Sequence, residues 1–311
     1  MALTALYDVA APAKINLFLH VVGRRADGYH LLQSVFVLVD WMDNLHFELR
    51  HDARLQRHDL GATLPENDLC LRAARALQSG SGTTLGADIS IAKQLPWGAG
   101  LGGGSSDAAS TLLALNRLWQ LNWPLARLAA LGLELGADVP FFLGGGNAFV
   151  QGIGEKLTPL AVPRQWLAVV KPAAAIETRA IFASPLLTRN TEAVILESFI
   201  AKSVAGSNDG FGQTPQQVPA GAGFEALFGG FGRNDLQSVA QTQCGEVSQA
   251  AQLLERQFGN SRMTGSGSAV FARAGSEARP SAAIPAPLAA GWVGRMCRSL
   301  EHHPLRGWAT D

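Results

Sequence analysis

Residues 95–110 read LPWGAGLGGGSSDAAS, and the reading of this stretch decides how the rest of the chain is organised. Five glycines fall between Gly98 and Gly104, and two serines and an alanine-rich segment follow. Glycine removes the Cβ and lets backbone N–H groups approach a ligand. The run from Ser105 to Trp119 (SSDAASTLLALNRLW) has leucines at helical spacing, a serine able to cap it and Asp107 suited to its first turn. A glycine loop opening onto a helix start is an anion site, because the first amides of a helix lack partners and sit at the positive end of its dipole. Pro96, Trp97, Gly98, Ala99, Gly100, Leu101, Gly102, Gly103, Gly104, Ser105 and Ser106 are therefore candidates to cradle a polyphosphate. No GK[ST] ends the loop, so it is not a Walker sequence. GAGLGG mimics a dinucleotide fingerprint, but no acidic residue closes a second strand of a βαβ unit. A plain flexible turn is the competing reading.

Working outward, Ala13 to Val21 (AKINLFLHV) alternates in polarity and predicts a half-buried strand, with Lys14 and Asn16 on its open face. A turn is expected at Arg24 to Gly28 and a second strand at Val35 to Trp41. Asn67 to Gln78 predicts an amphipathic helix capped by Asn67, and Ala87 to Lys93 a strand entering the glycine loop. Pro124 to Gly136 predicts another helix; Asn147 to Gln151 and Trp166 to Val170 predict strands. Ser203 to Gly223 and Ala274 to Gly291 are loop-like in composition. Strands and helices without strict βαβ alternation favour an α+β fold.

Three further places carry chemistry. Asp138, in LGADVPFFL, could orient or deprotonate a hydroxyl, or merely cap a short helix. Lys14 could stabilise developing phosphoryl charge, or be an ordinary solvated lysine. Met263 to Phe271 (MTGSGSAVF) could line the far side of a phosphate site, or be a simple turn.

The 311 residues suit two domains, and 47% hydrophobic content supports a sizeable core. With 25 basic and 25 acidic residues the chain lacks the net charge of a nucleic-acid binder. No apolar run is long enough to span a membrane, and the N-terminus lacks a secretory pattern. Cys70, Cys244 and Cys297 fit neither a disulfide framework nor zinc spacing, as in a reducing cytoplasm.

AKINL, LPWGAGLGGGSSDAAS, LGADVPFFL and MTGSGSAVF occur in that order, and together they resemble the GHMP kinase superfamily. PAKINLFLHVVGRRADGYHLLQSVF, GADVPFFLGGGNAFVQGIGEKL and FGRNDLQ are similar to its branch acting on a cytidyl diphosphate in the non-mevalonate isoprenoid pathway. The resemblance implies an N-terminal ATP-binding α/β domain (1–162) and a ferredoxin-like C-terminal substrate domain (163–311), with the site in the cleft. It implies ATP with Mg²⁺ as donor and the 2-hydroxyl of 4-diphosphocytidyl-2-C-methyl-D-erythritol as acceptor. Lys14 and Asp138 would be catalytic, and Pro96 to Ser106 would hold ATP. Asn16, Tyr29, His30, Thr178 and Phe182 would bind substrate, with Tyr29 and Phe182 on opposite faces of the base. Lys93 would reach a nucleotide or substrate phosphate. A mevalonate or homoserine kinase would share the loop without needing the base clamp. The expected molecule is cytoplasmic, a monomer or homodimer, with no nucleic-acid or membrane partner.

Overall fold

A computed structural model describes residues 3–194, 216–217 and 232–311. The loop-like stretch Ser203 to Gly223 lies outside the described residues except for 216–217. The chain opens with a long antiparallel hairpin, β1 (Ala5–Arg24) and β2 (His30–Arg50). Its turn is closed by Arg25 N–H on the Tyr29 carbonyl at 2.7 Å, with Gly28 at φ 91° where a side chain would be strained. The other edge of β2 takes β4 (Gly86–Ala92) along residues 44–50 and β5 (Ala148–Gly152) along residues 32–36. β3 (Leu55–Asp59) runs parallel outside β4, and β6 (Lys156–Ala161) antiparallel beside β5.

Four helices cover one face of this sheet: α1 (Leu69–Ser81), α2 (Gly103–Leu118), α3 (Leu125–Leu135) and α4 (Val139–Gly144). Phe36, Leu38, Phe47, Leu112, Leu115 and Phe141 fill the space between. A second, antiparallel sheet has the order β11 (Val293–Arg298), β7 (Gln165–Lys171), β10 (Val270–Ser276), β9 (Arg262–Met263). The two-residue β8 (Gln216–Gln217) lies parallel to β6 in the first sheet. After β7 come α5 (Thr178–Ala183), then α6 (Gln237–Gln243) and α7 (Gly245–Phe258), whose Val239, Val247 and Leu254 pack under the second sheet. The mixed helix and strand content is the α+β class read from the sequence.

The two sheets share a core of Ile15, Leu17, Val35, Val37, Leu167, Val169 and Phe271. This corrects the half-buried reading of β1. Its Ile15 face meets the second sheet. Lys14 and Asn16 lie opposite Leu38 and Phe36, whose side chains belong to the helix layer. Both faces are covered, and Lys14 is 3% and Asn16 1% exposed.

Two helix starts also differ from expectation. Asp68, not Asn67, caps α1, accepting from Leu71 N–H at 3.0 Å. The helix α2 begins inside the glycine run, with Gly102 in the cap position at φ 74° and no side-chain cap. Ser105 and Ser106 are therefore helical residues, and Asp107 lies beyond the first turn.

Candidate functional site

The first intrahelical bond of α2 runs from Ser106 N–H to Gly102 O at 2.9 Å. The amides of Gly103, Gly104 and Ser105 precede it and take no partner from a capping side chain. Uncapped donors at the positive end of a sixteen-residue helix are the physical requirement for holding phosphate. They face a cavity of about 410 Å³ lined by the loop backbone and by Pro65, Asn67, Leu69, Lys93, Trp97 and Asp107. Trp97 is 58% exposed at its border, a flat apolar surface available to a nucleobase.

The loop is fixed by the third small-residue motif. Ser268 and Ala269 N–H groups donate to the Gly98 and Ala99 carbonyls at 3.1 and 3.2 Å. A Cβ on Gly100 would stand 2.3 Å from the Thr264 carbonyl, and one on Gly267 2.1 Å from Gly100 N. Two chain segments cross here at a separation only glycine permits. The MTGSGSAVF segment is thus the floor of the glycine loop rather than an independent turn.

A second cavity, about 360 Å³, lies on the other side of the loop and shares Gly100 and Gly102 with the first. Lys14, Asn16, Asp138, Thr178, Phe182 and Ser266 are among its walls. Lys14 Nζ donates to Gly100 O at 2.9 Å and Asn16 Oδ1 at 2.6 Å, lies 3.8 Å from the Asp138 carboxylate, and sits 4.8 Å above the Phe36 ring. Burial pushes the Lys14 pKa below the usual lysine range, with Asp138 pulling it back up. Lys14 is thus neither solvated nor on an open face. Asp138 occupies the cap position of α4 but makes no capping bond, so its carboxylate, about a third exposed, is free to meet a ligand. Asn16 is anchored within the protein. Its Nδ2 donates to Ser34 Oγ at 2.9 Å, and its backbone N–H to Thr264 Oγ1 at 2.9 Å.

Of the residues expected to bind substrate, Asn16, Thr178 and Phe182 line this cavity, while His30 and Tyr29 are not among its walls. Thr178 Oγ1 lies 2.7 Å from Ser266 Oγ. Phe182 stacks on His30, with ring centroids 4.9 Å apart and planes 28° from parallel. That spacing leaves no room for a base between His30 and Phe182. Tyr29 is 60% exposed beside the β1–β2 turn.

Lys93 lines the first cavity and is also ion-paired. Its ammonium is held by Asp43 and, at 2.7 Å, by Asp107. Asp43 Oδ1 also accepts from the Gln94 and Leu95 amides at 2.5 and 2.8 Å, the two residues before the loop. Burial alone would lower the Lys93 pKa, but the two carboxylates outweigh it and leave it raised. Burial pushes the Asp107 carboxyl up to about 7, against the pull of Lys93. A buried triad therefore clamps both ends of the glycine loop. Sequence reasoning missed Asp43 entirely. Its only local signal was an acidic residue inside an apolar strand, DWMDNLHF.

Comparison with known proteins matches residues 68–146 to the family described as GHMP kinases N terminal domain, and residues 221–290 to GHMP kinases C terminal. A curated protein of Methylibium petroleiphilum, 4-diphosphocytidyl-2-C-methyl-D-erythritol kinase, is 60% identical over 99% of this chain and 100% of its own length. A crystal structure of 4-(cytidine 5'-diphospho)-2C-methyl-D-erythritol kinase superposes with a TM-score of 0.66 at 32% identity, covering 87% of this chain and 90% of that one. A mevalonate kinase structure superposes with a TM-score of 0.67 over 94% of this chain and 99% of its own, but at 14% identity, a likeness of fold alone.

Proposed function

Given that the chain belongs to the 4-diphosphocytidyl-2-C-methyl-D-erythritol kinase family of the GHMP kinases, we propose that it transfers the γ-phosphoryl group of ATP to the 2-hydroxyl of 4-diphosphocytidyl-2-C-methyl-D-erythritol. The observation that carries this reading is the pair of cavities meeting at Gly100 and Gly102, with Lys14 and Asp138 3.8 Å apart on the far side. ATP lies along the loop, its phosphates on the amides of residues 103–105 and its base toward Trp97. Asp138 orients the acceptor hydroxyl and takes its proton as the oxygen attacks phosphorus. Lys14 holds Asp138 in place and offsets charge that develops on the transferring group. Asn16 acts first through Lys14, whose ammonium it anchors. Positioning and electrostatics supply most of the acceleration in such a transfer.

Mg²⁺ bound to the ATP phosphates would neutralise their charge. The Ser106 hydroxyl, at the helix end of the loop, has no hydrogen-bond partner among the described residues and would be an oxygen donor of the type that ion takes. Thr178, Tyr29, His30 and Phe182 take the cytidyl end of the substrate. A base stacked on an aromatic ring gains about 1–3 kcal/mol. We divide the chain at 162/163, between the last residue of β6, Ala161, and the first of β7, Gln165. Three free thiols suit a reducing cytoplasm, and the reading takes the chain as a monomer or homodimer acting on small molecules.

The test is ATP-dependent phosphorylation of the cytidyl compound beside mevalonate and homoserine. Turnover of the cytidyl compound alone is expected; turnover of mevalonate or homoserine alone would overturn the acceptor. Asp138→Asn should lower kcat by about 10²–10⁴-fold, the usual scale of a positioned general base. A kcat near wild type would remove Asp138 from the chemistry.

A further inference from the structure

Arg189 lies in the irregular segment after α5, where the sequence shows no motif. Its guanidinium has four partners. Nε donates to His30 Nε2 at 3.1 Å, Nη1 to the Leu187 carbonyl at 3.0 Å, and Nη2 to the Phe182 and Ser184 carbonyls at 3.0 and 2.7 Å. The segment is itself anchored. Thr191 N–H donates to the Val21 carbonyl at 3.0 Å and its hydroxyl to Asp235 at 2.6 Å, while Gln33 and the Val194 backbone bond each other in both directions.

A guanidinium only donates. The imidazole nitrogen it meets must accept, which makes His30 a neutral ring with its proton on Nδ1. Burial, with Arg189 and Arg24 nearby, holds the His30 pKa below its ordinary value. The same guanidinium ties down the Phe182 carbonyl, and the Phe182 ring stacks on His30.

Resting on the cytidyl-substrate reading, we infer that Arg189 is the positioning residue of the base-recognition corner: it fixes His30 as the Nδ1–H tautomer and sets Phe182 against it. The corner then offers a pyrimidine one aromatic surface and one ring donor of fixed identity. Cytosine presents acceptors at O2 and N3, whereas uracil carries a proton at N3. Uracil keeps acceptors at O2 and O4, so a donor that cannot change tautomer favours the first base over the second where it meets position N3. Lysine cannot replace arginine here, because an ammonium lacks the planar fork that reaches His30 and the carbonyls together.

The first measurement needs no variant. Imidazole ¹⁵N shifts of the full chain, with His30 assigned by its loss in His30→Gln, are expected to show the Nδ1–H form. An Nε2–H form or a protonated ring at neutral pH would overturn the inference. In Arg189→Ala the tautomer should cease to be fixed. Its KM for the cytidyl substrate should rise about tenfold or more, the scale of one lost polar contact, with kcat and the KM for ATP within about threefold of wild type. A fall in kcat at unchanged KM, or full rescue by Arg189→Lys, would assign Arg189 another role. If the wild-type chain fails to turn over the cytidyl compound, the function reading falls while the tautomer still tests the contact.

Discussion

Lys93→Met separates a lysine that clamps the glycine loop from one that touches phosphate. The Lys93 side chain is 11% exposed, and its partners Asp43 and Asp107 are 0% and 5% exposed. Removing one partner of a buried ion pair costs about 3–5 kcal/mol, because the remaining charge is left uncompensated. Here two carboxylates would face each other, and Asp107, whose carboxyl already sits at about 7, relieves the repulsion by taking a proton. The lower end, about 3 kcal/mol at pH 7, is therefore expected. At about 2–4 °C per kcal/mol the melting temperature should fall by about 6–12 °C. The pH dependence has a defined sign. A carboxyl whose folded pKa is raised binds more protons folded than unfolded, so its contribution to stability is full below about 4 and is lost as pH rises through the folded value. Removing Lys93 raises Asp107 further, so the gap between variant and wild type should widen from pH 7 to pH 8, by up to about 1.4 kcal/mol per pH unit. Thermal melts across that range, with Lys93→Met/Asp107→Asn as control, measure all of this. The double variant should recover most of the loss. An unchanged melting temperature with a large fall in kcat would refute the clamp and return Lys93 to the phosphates.

Gly100→Ala places a methyl 2.3 Å from the Thr264 carbonyl at φ 77°. The left-handed backbone alone costs about 1–2 kcal/mol, so the loops must part and the KM for ATP should rise at least about tenfold; ordinary ATP kinetics would refute the crossing. Because burial lowers the Lys14 pKa, wild-type kcat should fall on the alkaline side below the ordinary lysine value, as deprotonation removes the charge beside Asp138. In Lys14→Arg the residual activity should lose that limb, and a limb that persists belongs to another group. Asp68→Ala removes the α1 cap and a 3.0 Å ion pair to Arg57, and should cost about 1–2 kcal/mol in denaturant melts. Asn67→Ala should cost less, and the reverse order would restore Asn67 as the cap.

The parts of the site legible in the sequence are those written in consecutive residues. The five glycines, the helix behind them and the Gly-Ala-Asp-Val-Pro turn at Asp138 each carry local geometry in their composition. The burial of Lys14 was not legible, because its cover comes from residues 100–102 and 264–265, far along the chain. Alternation on β1 reports two chemically different faces and says nothing about what lies above each. The cap of α1 was ambiguous for a simpler reason. Asn67 and Asp68 are adjacent and both good caps, and only the extended backbone of Asp68, at φ −72° and ψ 171°, decides between them. The Asp43–Lys93–Asp107 triad draws one residue from each of three elements, and no periodicity joins them. Arg189 stands in a segment without periodicity at all.

Among the described residues, the free edge of β1 explains why the scattered motifs come in a fixed spatial order. Lys14 N–H is met by the Leu101 carbonyl, Asn16 N–H by Thr264 Oγ1, Leu19 N–H by the Arg233 carbonyl and Val21 N–H by the Asp235 carboxylate. The Val21 carbonyl then accepts from Thr191, in the segment that carries Arg189. An edge strand must satisfy these groups or risk pairing with another chain. This one uses them to hold the glycine loop, the third motif, the RND segment and the segment that carries Arg189 in succession. At about 3.3 Å per residue, Lys14 and Val21 stand about 23 Å apart, somewhat less across the irregularity between Asn16 and Leu19. The strand therefore sets the spacing of these segments. A one-residue deletion between Asn16 and Leu19, where β1 takes three steps against two on β2, would remove this bulge and draw the Leu19 and Val21 contacts one step toward the glycine loop, whereas the same deletion in the exposed Arg25–Asp27 turn would leave both sets of contacts in place.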